Sequence, residues 1–168
     1  MNQATFQLVP MTAAYARTIC TWQYDRPYAI YNADPADETD LDETFLNPDY
    51  YYYAVLNAQG DLIAYRCFGD DAQVPGGDYR TTALDMGGGL RPDLTGQGLG
   101  PQVMQAAMDF ARLHFAPPAF RVTIAAWNIR AQRACQKCGY QPVTTFLNPQ
   151  GMAFVIMMRD VGRVGVDS

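Results

Sequence analysis

Apolar and polar positions alternate over "TFQLV", residues 5–9, and stop at Pro10, which predicts a short first strand. The period then changes. "MTAAYARTICTWQY" carries apolar residues at three- and four-residue steps behind Thr12, a residue suited to capping, and predicts a helix. "NADPADETDLDETFLNP" is acidic and turn-rich, with a short helix expected from Asp40 to Leu46. Two apolar or alternating runs about "NAQGD" in "YYYAVLNAQGDLIAYRCFG" predict a β-hairpin, and "DDAQVPGGDYR" a loop. "TTALDMGGGL" begins as a strand and ends in glycine. The longest helical pattern runs from Gly98 to about His114, with Leu99, Val103, Phe110 and Leu113 on one face. Pro101 falls in its first turn, where a missing N–H is no loss. "PPAFRVTIAAW" predicts a strand and "NIRAQRACQKCG" a helix, with Asn128 as N-cap and Gly139 as stop. "YQPVTTFLN" and "MAFVIMMR" close the pattern as two strands.

The resulting order, β-α-α-β-β-β-α-β-α-β-β, mixes hairpins with one strand–helix–strand unit. It predicts an α+β fold: a mixed, mainly antiparallel sheet with helices on both faces. A length of 168 residues fits one domain, expected over residues 1–160 with a frayed tail at 161–168.

Residues 84–102, "LDMGGGLRPDLTGQGLGPQ", hold six of the fourteen glycines. Glycine costs backbone entropy on folding, so such a cluster has a reason: a bend, a linker or a cradle for an anion. A strand that runs through a glycine-rich turn into a helix is a recurrent anion site, because free N–H groups and the helix dipole point the same way. Neither a G-x-x-x-x-G-K-[ST] phosphate loop nor the dinucleotide G-x-G-x-x-G pattern is met; Pro101 occupies the sixth place of the latter.

Composition narrows the function further. The net charge is −5, and the single Lys and eleven Arg form no run, so a nucleic-acid partner is not expected. An acidic surface favours a cationic partner such as an amine. No apolar stretch reaches the roughly 20 residues that span a bilayer, and the start lacks the pattern of a signal peptide. A soluble cytoplasmic protein without a membrane partner is expected, as monomer or homodimer. Cys20, Cys67, Cys135 and Cys138 do not form a disulfide framework, and "CQKC" lacks a second ligand pair, since His114 is the only histidine. No metal is expected.

Two stretches carry a family resemblance. "LRPDLTGQGLG" resembles the acetyl-CoA-binding motif [QR]-x-x-G-x-[GA] of the GCN5-related N-acetyltransferase (GNAT) family. "WNIRAQRACQKCGY" resembles that family's N-x-x-A-x-x-L-Y-x-K-x-G-[FY] motif at Asn128, Ala131, Lys137, Gly139 and Tyr140. The resemblance implies a sheet splayed between its fourth and fifth strands, with acetyl-CoA as co-substrate and the pantetheine arm in the gap. It implies a bulge at Gly87, Gly88 and Gly89, with the backbone of Leu90 pairing with the pantetheine and polarising the acetyl carbonyl. Backbone N–H groups of Thr95, Gly96, Gln97, Gly98, Leu99 and Gly100 would hold the pyrophosphate, and Asn128 would bond the cofactor.

The pattern also has departures. Thr95 stands where the family has Gln or Arg, and Cys135 where it often has a Tyr that protonates the leaving thiolate. Cys135 is therefore a candidate acid, against a plain role as a small buried residue. Asp85 is the candidate base that deprotonates the amine, if its side chain faces the cleft rather than away. Glu38, Glu43 and His114 are expected to be solvated. Trp22, Tyr24, Tyr28, Tyr31 and the run from Tyr50 to Tyr53 are expected to wall the acceptor side, with Asp25 as a cation partner, against ordinary packing of the same rings. The activity implied is direct acetyl transfer to a primary amine in a ternary complex. The alternative from another class is a non-catalytic acyl-CoA-binding module.

Overall fold

The computed structural model describes residues 5–33 and 41–162. Seven strands form one sheet in the order β1-β2-β3-β4-β5-β7-β6. They are β1 (Gln7–Pro10), β2 (Tyr53–Leu56), β3 (Leu62–Phe68), β4 (Leu84–Leu90), β5 (Ala119–Ala125), β6 (Gln141–Leu147) and β7 (Ala153–Asp160). Every neighbouring pair is antiparallel except β4 and β5, which are parallel. The helices are α1 (Ala13–Cys20), α2 (Leu99–Phe115) and α3 (Ile129–Lys137). The mixed α+β sheet expected from the chain pattern is thus the observed one.

Strand alternation assigns the faces. Phe68 lies 5.9 Å and 5.3 Å, ring to ring, from Phe110 and Phe115 of α2. It joins Met86, Met108, Phe120 and Tyr140 in the main core between the sheet and the pair α2, α3. Tyr65, three residues earlier and therefore on the opposite face, meets Trp22 beyond α1 at 6.2 Å. Thr12 caps α1 through a hydrogen bond from Tyr15 N at 3.2 Å. Such a cap satisfies one of the free donors of the first turn.

Two local expectations change. Instead of a helix from Asp40 to Leu46 there is a single π turn, Leu41–Phe45, and Asp40 and Glu38 lie outside the described residues. The tyrosine run does not alternate from its start: Tyr51 takes a positive φ of 49°, and only Tyr53 enters β2 to pack on Phe68 and Phe110. Among the described residues no helix is long and apolar enough to cross a membrane.

Candidate active site

The sheet forks. β4 and β5 share only two register pairs, Leu84 with Phe120 and Asp85 with Arg121. Beyond them β4 stays with β3, and β5 stays with β7 through to Ala125. A cleft of about 820 Å³ opens between the diverging strands, floored by Met86, Met104 and Val122.

The ladder phase shows which backbone groups of β4 face this cleft. Gly69 N–H donates to Asp85 O and Arg91 N–H donates to Ile63 O, each at 2.8 Å. In an antiparallel ladder alternate residues bond across it, so Asp85, Gly87, Gly89 and Arg91 turn to β3, and Met86, Gly88 and Leu90 turn to the fork. The Leu90 carbonyl accepts a 2.7 Å hydrogen bond from the Tyr24 hydroxyl.

The expected glycine bulge is not there. The β3–β4 register runs unbroken from Phe68–Met86 to Ala64–Leu90, and glycine serves close approach instead. A Cβ on Gly88, whose φ is +151°, would stand 2.1 Å from the Tyr65 carbonyl oxygen.

After β4 the chain makes a tight turn at Pro92–Leu94 and reaches α2 through Gly96 (φ 75°) and Gly98 (φ 79°). Both are left-handed, a conformation that disfavours any residue with a Cβ. Gly98 is the N-cap and brings no side chain, so the first-turn N–H groups of α2 keep their free valence. Gly89, Leu90, Thr95, Gly96, Gly98 and Gly100 line the cleft. Gln97 and Leu99 do not; the Gln97 amide folds back on the Asp93 carbonyl at 2.7 Å.

Across the cleft, Asn128 caps α3 by accepting from Ala131 N at 3.1 Å and donates to the Tyr31 hydroxyl at 3.2 Å. It is the N-cap that the sequence pattern predicts, and it also lines the cleft. Arg130, Arg133 and Lys137 follow along α3 on the same wall, a cationic row on an acidic protein. At the mouth Tyr28 and Tyr31 lie 5.5 Å and 5.9 Å from the Trp127 ring, and the Arg130 guanidinium lies 3.7 Å from the Tyr28 centroid. Asp25 is elsewhere: its carbonyl closes a turn with Tyr28 N at 2.8 Å and its side chain is exposed, outside the cleft wall.

The expected catalytic pair also changes. Asp85 faces away from the cleft into a bidentate ion pair with Arg121, at 2.7 Å and 2.8 Å, with side chains 5% and 3% exposed. Gln73 donates to the same carboxylate at 2.9 Å. Three donors take most of this carboxylate's lone pairs and it does not line the cleft, so the base assignment fails. Cys135 does line the cleft, but burial pushes its thiol up to about 12, with the Arg66 charge opposing. It is therefore a weak acid and, at neutral pH, a poor nucleophile. Among the described residues lining the cleft there is no carboxylate and no histidine. Glu43 sits in the π turn, and His114 bonds the Phe110 carbonyl at 2.9 Å on the far end of α2.

Two further residues of the cleft have places the sequence did not give them: the sequence puts Tyr24 only in the aromatic wall and gives Arg66 no role. Tyr24 bridges to Leu90, its hydroxyl held up to about 12 by burial. Arg66 lines the cleft from β3, and its one signal in the sequence is a lone charge inside the apolar run "LIAYRCF".

The Acetyltransferase (GNAT) domain family matches residues 6–141. No curated protein matches the chain. Among solved structures, aminoglycoside acetyltransferase AAC(6')-Ib in complex with coenzyme A superposes with a TM-score of 0.74 at 18% identity, covering 94% of this chain and 95% of that one. The same enzyme with paromomycin and acetyl-CoA gives 0.74 at 18%, covering 99% and 100%. A Vibrio cholerae spermidine N-acetyltransferase chimera gives 0.69 at 15%, covering 95% and 96%. At these identities the likeness is one of fold.

Proposed function

The chain belongs to the GNAT acetyltransferase family, and from that premise we propose that it transfers acetyl from acetyl-CoA to a primary amine by direct attack. The observation that carries this reading is the fork. β4 offers the backbone groups of Gly88 and Leu90 to a gap that leads to the uncapped start of α2. A pantetheine arm is an extended amide chain and suits such a gap. The left-handed glycines and free N–H groups at 96–100 suit a pyrophosphate, and the α3 cations add charge complementarity. The residues present therefore fit the co-substrate.

Its thioester supplies the activated acetyl group. The N–H of Leu90 or Gly88 is turned to polarise the acetyl carbonyl, in the manner of an oxyanion donor. Asn128 would bond the cofactor, and it steadies Tyr31 through their hydrogen bond. Tyr24, by holding the Leu90 carbonyl, fixes the angle of that peptide. Direct attack is favoured over an acetylated Cys135, because that thiol stays protonated far above neutral pH. With no carboxylate in the described wall, the ammonium proton leaves through water.

The acceptor side is the aromatic mouth of Tyr28, Tyr31 and Trp127. The superposed enzymes act on aminoglycosides and spermidine, so both belong in the first panel of amines. The test begins with calorimetry of the protein against acetyl-CoA, with free CoA as control, and then follows thiol release with each amine. One-site saturable binding and amine-dependent release are expected. No binding at millimolar ligand overturns the reading; binding with no release for any amine replaces it with the acyl-CoA-binding module.

A further inference from the structure

Arg66 projects from the middle of β3 beneath the fork, its Cδ 2.9 Å from the place where a Cβ on Gly88 would stand. It is 8% exposed, and its Nε has no hydrogen-bond partner. Among the described residues no carboxylate pairs with it. Burial pulls its pKa below the usual range. A buried, uncompensated cation is costly, yet this one lies in the wall of the cleft itself.

Its surroundings say which anion it suits. Met86, Met104 and Cys135 share this part of the wall, and the Tyr140 hydroxyl is turned to the Met86 and Met104 sulfurs at 3.7 Å and 4.0 Å. Among these side chains the guanidinium is the one charged donor, beside soft, apolar and polarisable groups. A carboxylate has about four lone-pair sites to satisfy and would be left short of partners here. A thiolate is a large, polarisable anion that needs little more than a cation and apolar walls.

Resting on the acetyl-transfer reading above, we propose that Arg66 is the counterion of the leaving CoA thiolate, standing in place of a proton donor. In the step, the amine lone pair forms the C–N bond to the acetyl carbon. The C–S bond breaks with its electron pair on sulfur, beside Arg66. The proton shed by nitrogen passes to water, so the products are the acetamide, the thiolate and a hydronium ion. This accounts for a cleft whose motif position for the acid holds Cys135. Cys135, held at about 12, would give its proton uphill to a sulfur whose own acid has a pKa near 8.5.

The test reads the bound thiol directly. CoA bound to the wild-type protein is titrated by its thiolate ultraviolet absorbance, with the desulfo-CoA complex as the blank for protein thiols. The bound thiol is expected to ionise roughly one pH unit or more below free CoA. Arg66→Met should abolish or reverse that shift and Arg66→Lys should keep part of it, each read at saturating CoA; a shift that Arg66→Met leaves intact overturns the assignment. A bound thiol that titrates at its free value in the wild type overturns the assignment of Arg66 and leaves acetyl transfer standing. Failure of the wild type to bind either CoA or desulfo-CoA overturns both. Where Arg66→Met fails to fold, Arg66→Lys carries the comparison, and a shift it leaves at the full wild-type size counts against Arg66.

Discussion

Replacing Asp85 by Asn separates a clip from a catalyst. The change keeps the shape of the side chain and removes its charge at the last rung before the fork. Arg121 would then retain the Thr81 carbonyl at 2.7 Å and the Tyr79 ring at 4.9 Å, and lose its counter-charge. The new amide would also turn N–H groups toward the Arg121 and Gln73 donors. Removing one partner from a buried ion pair costs about 3–5 kcal/mol. For a domain of this size each kcal/mol moves Tm by about 2–4 °C, so a fall of roughly 6–20 °C is expected by calorimetry or circular dichroism. The double change Asp85→Leu with Arg121→Met should recover most of that loss, because the pair as a whole is near neutral against apolar residues of similar volume. Turnover per folded molecule should change little in Asp85→Asn, whereas loss of a general base costs about 10²–10⁴-fold. An unchanged Tm together with a collapse of turnover would refute the clip and restore Asp85 as the base.

Two further outcomes follow from glycine geometry and burial. Gly88→Ala should cost about 3 kcal/mol or more, since its Cβ would meet backbone at 2.1 Å, while Gly98→Ala, with nothing within 4 Å, should cost only the ~1–2 kcal/mol of a left-handed residue; urea midpoints that rank the two the other way contradict this. In alkali, Cys135 and Tyr24 are both pushed up to about 12, from 9.0 and 10.0. The fold favours their neutral forms, so that contribution is complete below pH 9 and is lost as pH rises toward 12. Urea midpoints should therefore fall across that range, and a rise between pH 8 and 10 would contradict the sign.

Much of the fold was legible in the chain because its helices and strands carry clean periods and explicit stops. Thr12, Asn128 and Gly139 mark boundaries by local hydrogen bonding and φ requirements alone, and these hold whatever the tertiary context. The glycines of 87–100 announced a close backbone approach and a turn into a helix. Their division of labour was not legible: Gly88 answers to a carbonyl on β3, a partner twenty-three residues away in sequence. The same limit applies to Asp85. Alternation leaves a strand residue two faces, and only the position of Arg121 on a strand not yet placed decides between them. Arg66 was hidden for a different reason, since a single charge in an apolar strand reads as a snorkelling edge residue until burial is known. Asp25 lies outside the cleft wall; proximity in sequence to two aromatic residues says nothing of which way a turn points.

The forked sheet ties the protein's robustness to its task. The backbone groups that β4 withholds from β5 are the ones it would offer to a ligand under the proposed reading, so both would draw on the same hydrogen bonds. Any variant that zips the two strands further, by extending the rung at Asp85, would gain a sturdier empty protein and shut out the proposed co-substrate. Selection for heat resistance alone would therefore be expected to erode this enzyme's chemistry from the vertex outward.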